Sequence, residues 1–205
     1  IKYKAKINGG ALFLEENALT FHLVDNSALD KFHLNQDVPK EEQNIKGHAW
    51  KVKFENAQAP KFTASVKSHE YYNFYLGNDE SKWASQVYAF ENIRMNQIYP
   101  NIDLEITTNE NENLKYTWYV KAGVNPNIIQ QNYSGIEDIK LSNGNLILTT
   151  GVNTVTEQKP VAWQIINGKK KEVKCNFVLK NKILSYDFPE GFHSNYDLII
   201  DPVLI

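Results

Sequence analysis

Two carboxylate side chains lie two residues apart near the middle of the chain. Asp103 and Glu105 alternate with Ile102, Leu104 and Ile106, so both acids point to the same face of an extended strand. A pair of carboxylates can supply the acid and the base or nucleophile of glycoside hydrolysis. The solvent-exposed side of an ordinary alternating strand produces the same pattern, and this second interpretation is favoured. A hydrolase acting through Asp103 and Glu105 therefore remains one hypothesis.

Metal-ligating residue types are present but scattered. None of the histidines lies in an HExxH pattern or beside a second ligand at metal spacing. Asn78 and Asp79 could offer oxygen atoms to calcium, but the regular ligand spacing of an EF-hand loop is missing. The sequence therefore predicts no metal site and no cofactor, with Asn78 and Asp79 as weak calcium candidates. The histidines are His22, His33, His48, His69 and His193.

The single cysteine is not placed for nucleophilic chemistry. Cys175 alternates with Val173, Phe177 and Leu179, so it belongs to the apolar face of its strand, where a free cysteine packs as a small hydrophobic residue. One cysteine also excludes an intrachain disulfide. The chain contains neither a Gly-x-Ser-x-Gly elbow nor a phosphate-binding loop. These observations favour a protein that is not an enzyme.

Aromatic residues are concentrated in one short segment. Tyr71, Tyr72, Phe74 and Tyr75 place rings on both faces of a strand, and Trp83 follows shortly after. Exposed rings would form a platform for a sugar or a peptide. Alternatively, the strand is covered on both faces and lies in the centre of the core, which is the favoured interpretation. Exposure of Tyr72, Tyr75 or Trp83 would favour binding, and these three are the candidate binding residues.

The amino-acid composition and the net charge indicate which classes of binding partner are not expected. The 205 residues are 42% hydrophobic and 12% aromatic, which excludes a disordered chain. The net charge is −2, and Arg94 is the single arginine among 22 basic residues. Nucleic acids and anionic membranes are bound by basic surfaces, so neither is an expected partner. Membrane insertion is not expected either, because no apolar stretch has the length of a spanning helix.

Two-residue alternation runs through most of the chain and predicts extended strands. Residues 114–121 and 173–180 are the clearest examples, and separate strands are indicated at 62–66 and 71–76. Asn143-Gly144 and Asn167-Gly168 lie between alternating runs and predict tight hairpins, so residues 137–188 are expected to form an antiparallel meander. A long loop with one helical turn is expected at 25–48, and a hairpin loop at 109–113.

The expected fold is an all-β, antiparallel, sandwich-like module, because short strands recur at regular spacing and no amphipathic helix is found. The chain is predicted to be one module of 205 residues. If it has two lobes, they are residues 1–99 and 100–205, with the boundary near Tyr99-Pro100.

Four segments resemble, in order, the signatures of one bacterial family. Residues 72–83 (YNFYLGNDESKW) resemble NYFLGNDPSKW, with Glu80 in place of the proline, and residues 98–104 (IYPNIDL) resemble VYPGIDL. Residues 159–164 (KPVAWQ) resemble KPVAYQ, and residues 199–204 (IIDPVL) resemble LVIDPVL. These patterns are typical of an N-terminal domain of unknown function in SBBP-repeat and gliding-motility-associated cell-surface proteins, which use type IX secretion. The resemblance covers essentially the whole chain.

This resemblance implies a secreted module at the bacterial cell surface. Its partners would be other domains of the same large protein, and a glycan or a cell-surface protein beyond it. The resemblance carries over no catalytic residues: it implies Gly77 in a turn, Asp79 as a cap, and Trp83 and Trp163 as core rings. Because the chain begins inside a predicted strand, we expect a fragment or processed form. The leading hypothesis is a non-enzymatic adhesion, assembly or motility module; the alternative is a carbohydrate-binding module of a polysaccharide-utilising system.

Overall fold

The computed structural model describes residues 1–25, 44–108 and 114–202. These residues form seventeen β-strands and two short 3-10 turns, Glu80–Lys82 and Pro126–Ile128. In chain order the strands are β1 (Tyr3–Ile7), β2 (Gly10–Leu14), β3 (Ala18–Asp25), β4 (Lys46–Phe54), β5 (Lys61–Phe74), β6 (Ala84–Tyr99), β7 (Ile102–Thr108), β8 (Leu114–Val120), β9 (Gln131–Ser134), β10 (Asp138–Ser142), β11 (Asn145–Thr149), β12 (Thr154–Glu157), β13 (Val161–Ile166), β14 (Lys169–Val173), β15 (Asn176–Lys180), β16 (Ile183–Asp187) and β17 (Leu198–Asp201).

The strands form three antiparallel sheets. The first large sheet has the order β1-β2-β3-β4-β9-β16-β15, and the second large sheet has the order β14-β13-β17-β8-β7-β6-β5. The small sheet has the order β10-β11-β12. The two large sheets pack against each other, and the described residues contain no α-helix. The predicted all-β, sandwich-like fold is therefore confirmed.

Alternation within the strands produces the core between the large sheets. In β8, Tyr116, Trp118 and Val120 are buried while Lys115 faces solvent. The ring of Trp118 packs edge-on against Phe54 of the first large sheet, with 5.5 Å between ring centroids. Burying one large apolar side chain contributes about 1.5–3 kcal/mol. Aliphatic and aromatic packing therefore holds the two large sheets together.

The predicted tight hairpins are confirmed, because the central residues of each turn have the positive φ values that such turns require. These values lie between 50° and 84°. The turns join β10 to β11, β13 to β14 and β15 to β16. The two predicted turns have Asn143-Gly144 and Asn167-Gly168 at their centres, and a third turn of the same kind has Asn181-Lys182.

The prediction that residues 137–188 form one continuous meander is wrong. The hairpin β10–β11 belongs to the small sheet, β13–β14 to the second large sheet, and β15–β16 to the first large sheet. A two-residue turn determines only the pairing of its own two strands. The short connections at residues 158–160 and 174–175 then take the chain from one sheet to another.

Strands from both sides of Tyr99-Pro100 are mixed in both large sheets. The first large sheet joins β4 to β9, and the second joins β6 to β7, so the suggested boundary between residues 1–99 and 100–205 does not separate two sheets. Most of the loop predicted at 25–48 lies outside the described residues, although β4 already begins at Lys46. The loop at 109–113 lies outside them as well. In the described part of the chain, no helix has the length and apolar character to span a bilayer.

Candidate functional site

The outer part of the β5–β6 hairpin projects beyond its sheet. β6 pairs with β7 from Asn92 to Tyr99, whereas it pairs with β5 out to Ala84, which lies opposite Phe74. We call residues 66–91 the arm; among the described residues, its two strands pair only with each other. Val66 has a φ of 54°, and the register shifts between Lys67 and Tyr71. This irregularity interrupts the alternation, so the sequence indicated two strands where the structure has one.

Hydrogen bonds from side chains of the arm itself stabilise the turn at its end. Gly77 turns the chain with a φ of +74°, which glycine adopts without steric cost. Asp79 caps the 3-10 turn, as the resemblance implied, by accepting hydrogen bonds from the backbone N–H of Ser81 (3.1 Å) and from its hydroxyl (2.7 Å). Trp83 Nε1 donates to the carbonyl oxygen of Gly77 (3.1 Å). These contacts hold the turn in one conformation and fix the neighbouring rings.

One of the two calcium candidates, Asp79, forms hydrogen bonds and an ion pair within the turn. The carboxylate of Asp79 already accepts hydrogen bonds from Ser81, and its other oxygen lies 3.0 Å from Lys82 Nζ. The hydrogen bonds from Ser81 and Lys82 lower the pKa of Asp79. The described residues contain no group of three or more His, Cys, Asp or Glu side chains that could hold a metal ion. Asp79 therefore serves the turn, and Asn78 has no such group of ligands around it.

The candidate binding residues are exposed on the arm. Tyr72 is 52% exposed, Tyr75 58% and Trp83 39%. The favoured interpretation of this segment as a central core strand is therefore wrong, and so is the expectation that Trp83 is a core ring. The physical reason is that, among the described residues, β5 is the last strand of its sheet, its outer half extends past β7 and no second layer covers it. Trp163, the other expected core ring, is only half-buried, with Lys170 Nζ 3.9 Å from its ring centroid.

Exposed rings cover both faces of the arm. Tyr72 and Phe74 lie on one face, 6.3 Å apart between centroids and inclined by only 29°. Tyr71 is adjacent in sequence and packs beside Tyr88 at 5.9 Å. Tyr75 meets Trp83 edge-on at 5.5 Å. Such rings offer a large, rigid contact area.

The two carboxylates considered for hydrolysis take part in an ion-pair network. Arg94 Nη2 lies 3.0 Å from Asp103 Oδ2, and Arg94 Nη1 lies 3.8 Å from Glu105 Oε2. The guanidinium group covers the ring of Tyr119 at 4.1 Å, and the Tyr119 hydroxyl donates to Glu105 at 3.0 Å. The backbone N–H of Gln97 donates to the second oxygen of Asp103 at 2.7 Å. Both acids thus take part in ion pairs and hydrogen bonds on the outer face of the sheet, an arrangement that stabilises strand pairing.

The structure reveals a buried acid that the sequence analysis did not select. Glu157, in β12, is 1% exposed and accepts hydrogen bonds from the hydroxyls of Tyr116, in β8, and Tyr133, in β9. One carboxyl group therefore links all three sheets. The signal was present in the sequence, because Glu157 lies two residues after Val155, on the same inward face.

One comparison with known proteins finds a match. A family model described as a domain of unknown function (DUF7948) matches residues 1–203. The chain belongs to this family. No curated protein and no solved structure matches the chain. In this DUF7948 domain, residues 72–83 of the first signature segment form the exposed end of the arm.

Proposed function

We propose that this DUF7948 domain is a non-enzymatic interaction module of a secreted bacterial cell-surface protein, and that the arm is its contact surface in adhesion or assembly. The exposure of Tyr72, Tyr75 and Trp83 on a projecting hairpin carries the proposal. Contiguous apolar surface is rare on soluble proteins and usually marks a contact site. Tyrosine and tryptophan are also the residues on which binding energy concentrates.

The two acids of the carboxylate pair, the buried acid and the cysteine are all engaged or enclosed within the fold. Arg94 pairs with Asp103 and Glu105, and Glu157 is enclosed between the sheets. Cys175 is buried in the core. These contacts support the non-enzymatic part of the proposal. The placement at the cell surface is supported by the resemblance of the four signature segments to exported surface proteins.

A protein partner suits the arm better than a sugar does, for two reasons. Rings lie on both faces, as the adjacent exposed Tyr71 and Tyr72 indicate, and a polypeptide can enclose both. In addition, β5 is the outermost strand of its sheet in the described part of the chain, so its outer backbone edge can pair with an extended segment. The partner would be another domain of the same surface protein or a second surface protein.

Binding to intact cells tests this function. Fluorescently labelled domain is added to cells of the bacterium that encodes it, and saturation is compared for the native domain, Tyr75→Ala/Trp83→Ala and the control Trp163→Ala, which removes an indole ring far from the arm in sequence. We expect the double variant to bind at least about tenfold more weakly, as loss of two hot-spot rings would cause, and the control to bind normally. Thermal unfolding checks that each variant is folded. Absence of native binding, or equal loss in the control, would contradict the proposal.

A carbohydrate partner is the second candidate, and one observation favours it. Tyr72 and Phe74 are both exposed, their ring planes are inclined by 29°, and an exposed ring can stack against the flat face of a sugar. Pretreatment of the cells separates the two candidates. Protease should abolish binding to a protein, whereas periodate oxidation should abolish binding to a glycan. Loss confined to Tyr72→Ala and Phe74→Ala, with Tyr71→Ala unaffected, would also favour the glycan.

A further inference from the structure

A small cavity lies beside the buried carboxyl group of Glu157. Its volume is about 10 Å³, which is at the lower limit of the size that can hold one water molecule. Residues of both large sheets and of the small sheet surround it. They are Leu19, Phe21, Trp50, Val52, Tyr116, Gln131, Tyr133, Leu148 and Glu157.

One polar group in the wall of this cavity has no partner in the described part of the protein. Trp50 is 2% exposed, and its Nε1 is buried without a hydrogen-bond acceptor among the described residues. Its ring is held in place by Phe21, which stacks on it at 4.7 Å with an interplanar angle of 2°. A buried N–H is almost always paired with protein or with ordered water, because leaving it unpaired is costly.

The lining of the cavity also includes suitable acceptors. The carboxyl group of Glu157 accepts hydrogen bonds from the hydroxyls of Tyr116 and Tyr133, and its oxygens keep further acceptor capacity in both the protonated and the ionised form. The side-chain amide of Gln131 also lines the cavity. Buried waters typically make about three hydrogen bonds, so the cavity has both the size and the polar groups that such a water needs.

We infer that this cavity is a binding site for one water molecule, which accepts a hydrogen bond from Trp50 Nε1 and donates one to the carboxyl group of Glu157. The water completes a polar centre that connects the small sheet to both large sheets. This inference is independent of the function proposed for the arm.

The same centre makes the stability of the domain depend on pH near neutrality. Burial raises the pKa of Glu157 to about 7, and the two tyrosine hydrogen bonds oppose that rise only in part. The groups facing the carboxyl are the hydroxyls of Tyr116, Tyr133 and Tyr186, whose own pKa values burial raises well above 10.0. Cys175 lies next to Tyr186 and stays protonated as well. Glu157 is therefore the group in this cluster that changes charge near pH 7.

The sign of the pH dependence follows from the two pKa values. Unfolded glutamate releases its proton near pH 4.5, whereas native Glu157 retains it to about pH 7. The native state therefore binds one more proton in this interval. The contribution of Glu157 to the stability of the domain is fully present below pH 4.5 and is lost as the pH rises through about 7.

Crystallography and denaturant unfolding test the inference together. A high-resolution crystal structure of the native domain should contain one ordered water within hydrogen-bonding distance of Trp50 Nε1 and Glu157, and Trp50→Phe should have lower water occupancy there. A dry cavity, or a Trp50 Nε1 that donates directly to a protein atom, would overturn the water site.

The urea midpoint of the native domain should fall between about pH 5 and about pH 7.5, and Glu157→Gln, which cannot ionise, should lose most of this fall. An unchanged fall in Glu157→Gln would refute the pH dependence. If Glu157→Gln does not fold, the native titration decides alone: a midpoint that does not fall over this interval contradicts the inference.

Discussion

The reactivity of a side chain in this domain depends on which face of its strand it occupies. Cys175 faces the core, and burial, assisted by the charge of Asp187, raises the pKa of its thiol to about 12. At pH 8 the native protein should therefore resist a disulfide reagent such as Ellman's reagent, since the thiolate is the reactive species. In denaturant one thiol per chain should react at once. Ser81→Cys, at an exposed position on the arm, should add a rapidly reacting thiol; rapid reaction of native Cys175 would contradict its burial.

At the residue scale, the alternation of a strand predicts which face a side chain occupies, but it does not predict which residues surround that side chain. It correctly placed Cys175 on the apolar face. The same rule would have placed Glu157 inside, but an acid is expected outside, and only the three-dimensional structure supplies the tyrosines that make its burial tolerable. Rings at Tyr71 and Tyr72 were ambiguous, because a strand buried on both faces and a strand exposed on both faces have the same residue pattern.

At the element scale, the close pairing of β2 with β3 depends on one glycine. A Cβ atom at Gly10 would lie 1.9 Å from the carbonyl oxygen of His22, a backbone atom that cannot move without opening the strand pair. Gly10→Ala should therefore destabilise the domain by about 3 kcal/mol or more, as severe overpacking does. Gly9→Ala is the matched control, because its Cβ would meet no atom within 4 Å and only its left-handed φ of +73° is unfavourable.

Equilibrium urea unfolding measures both variants. The control should cost about 1 kcal/mol, the price of a left-handed conformation for alanine. Equal losses in the two variants would contradict the argument from close approach. The comparison also tests whether β1–β3 fold with the rest of the sandwich, since a separate early transition in Gly10→Ala would identify them as a less stable unit.

Strands and turns could be predicted where the residues that determine them are close together in sequence. The turns at Asn143-Gly144 and Asn167-Gly168 could be located because their φ requirements favour specific residues. The sequence could not show that three neighbouring groups of strands belong to three different sheets, because this depends on contacts between residues far apart in sequence. The groups are β10–β12, β13–β14 and β15–β16. The merging of two predicted strands into β5 was missed for a related reason: the bulge after Val66 disrupts the alternation without ending the strand.

At the scale of the whole molecule, the sandwich contains the buried core and the arm presents exposed aromatic rings. The large buried side chains, such as Phe54, Trp118 and Met95, lie in the body of the domain, whereas the arm contributes exposed rings and pairs only with itself among the described residues. Shortening the arm should therefore leave the sandwich folded. Lys67 lies directly opposite Phe90, so replacing residues 68–89 with Asn-Gly creates a two-residue hairpin at that point.

We expect the shortened domain to unfold with a free energy within about 1 kcal/mol of the native value, since surface changes away from the core have small effects, and to lose binding to cells. Tyr72→Ser/Tyr75→Ser/Trp83→Ser is the matched variant, because it keeps the length of the arm but removes its rings. Loss of binding in both variants would assign recognition to the rings, and loss in the shortened domain alone would assign it to the backbone edge of β5. A large loss of stability on shortening would mean that the arm supports the sandwich, and its exposed rings would then need a structural explanation.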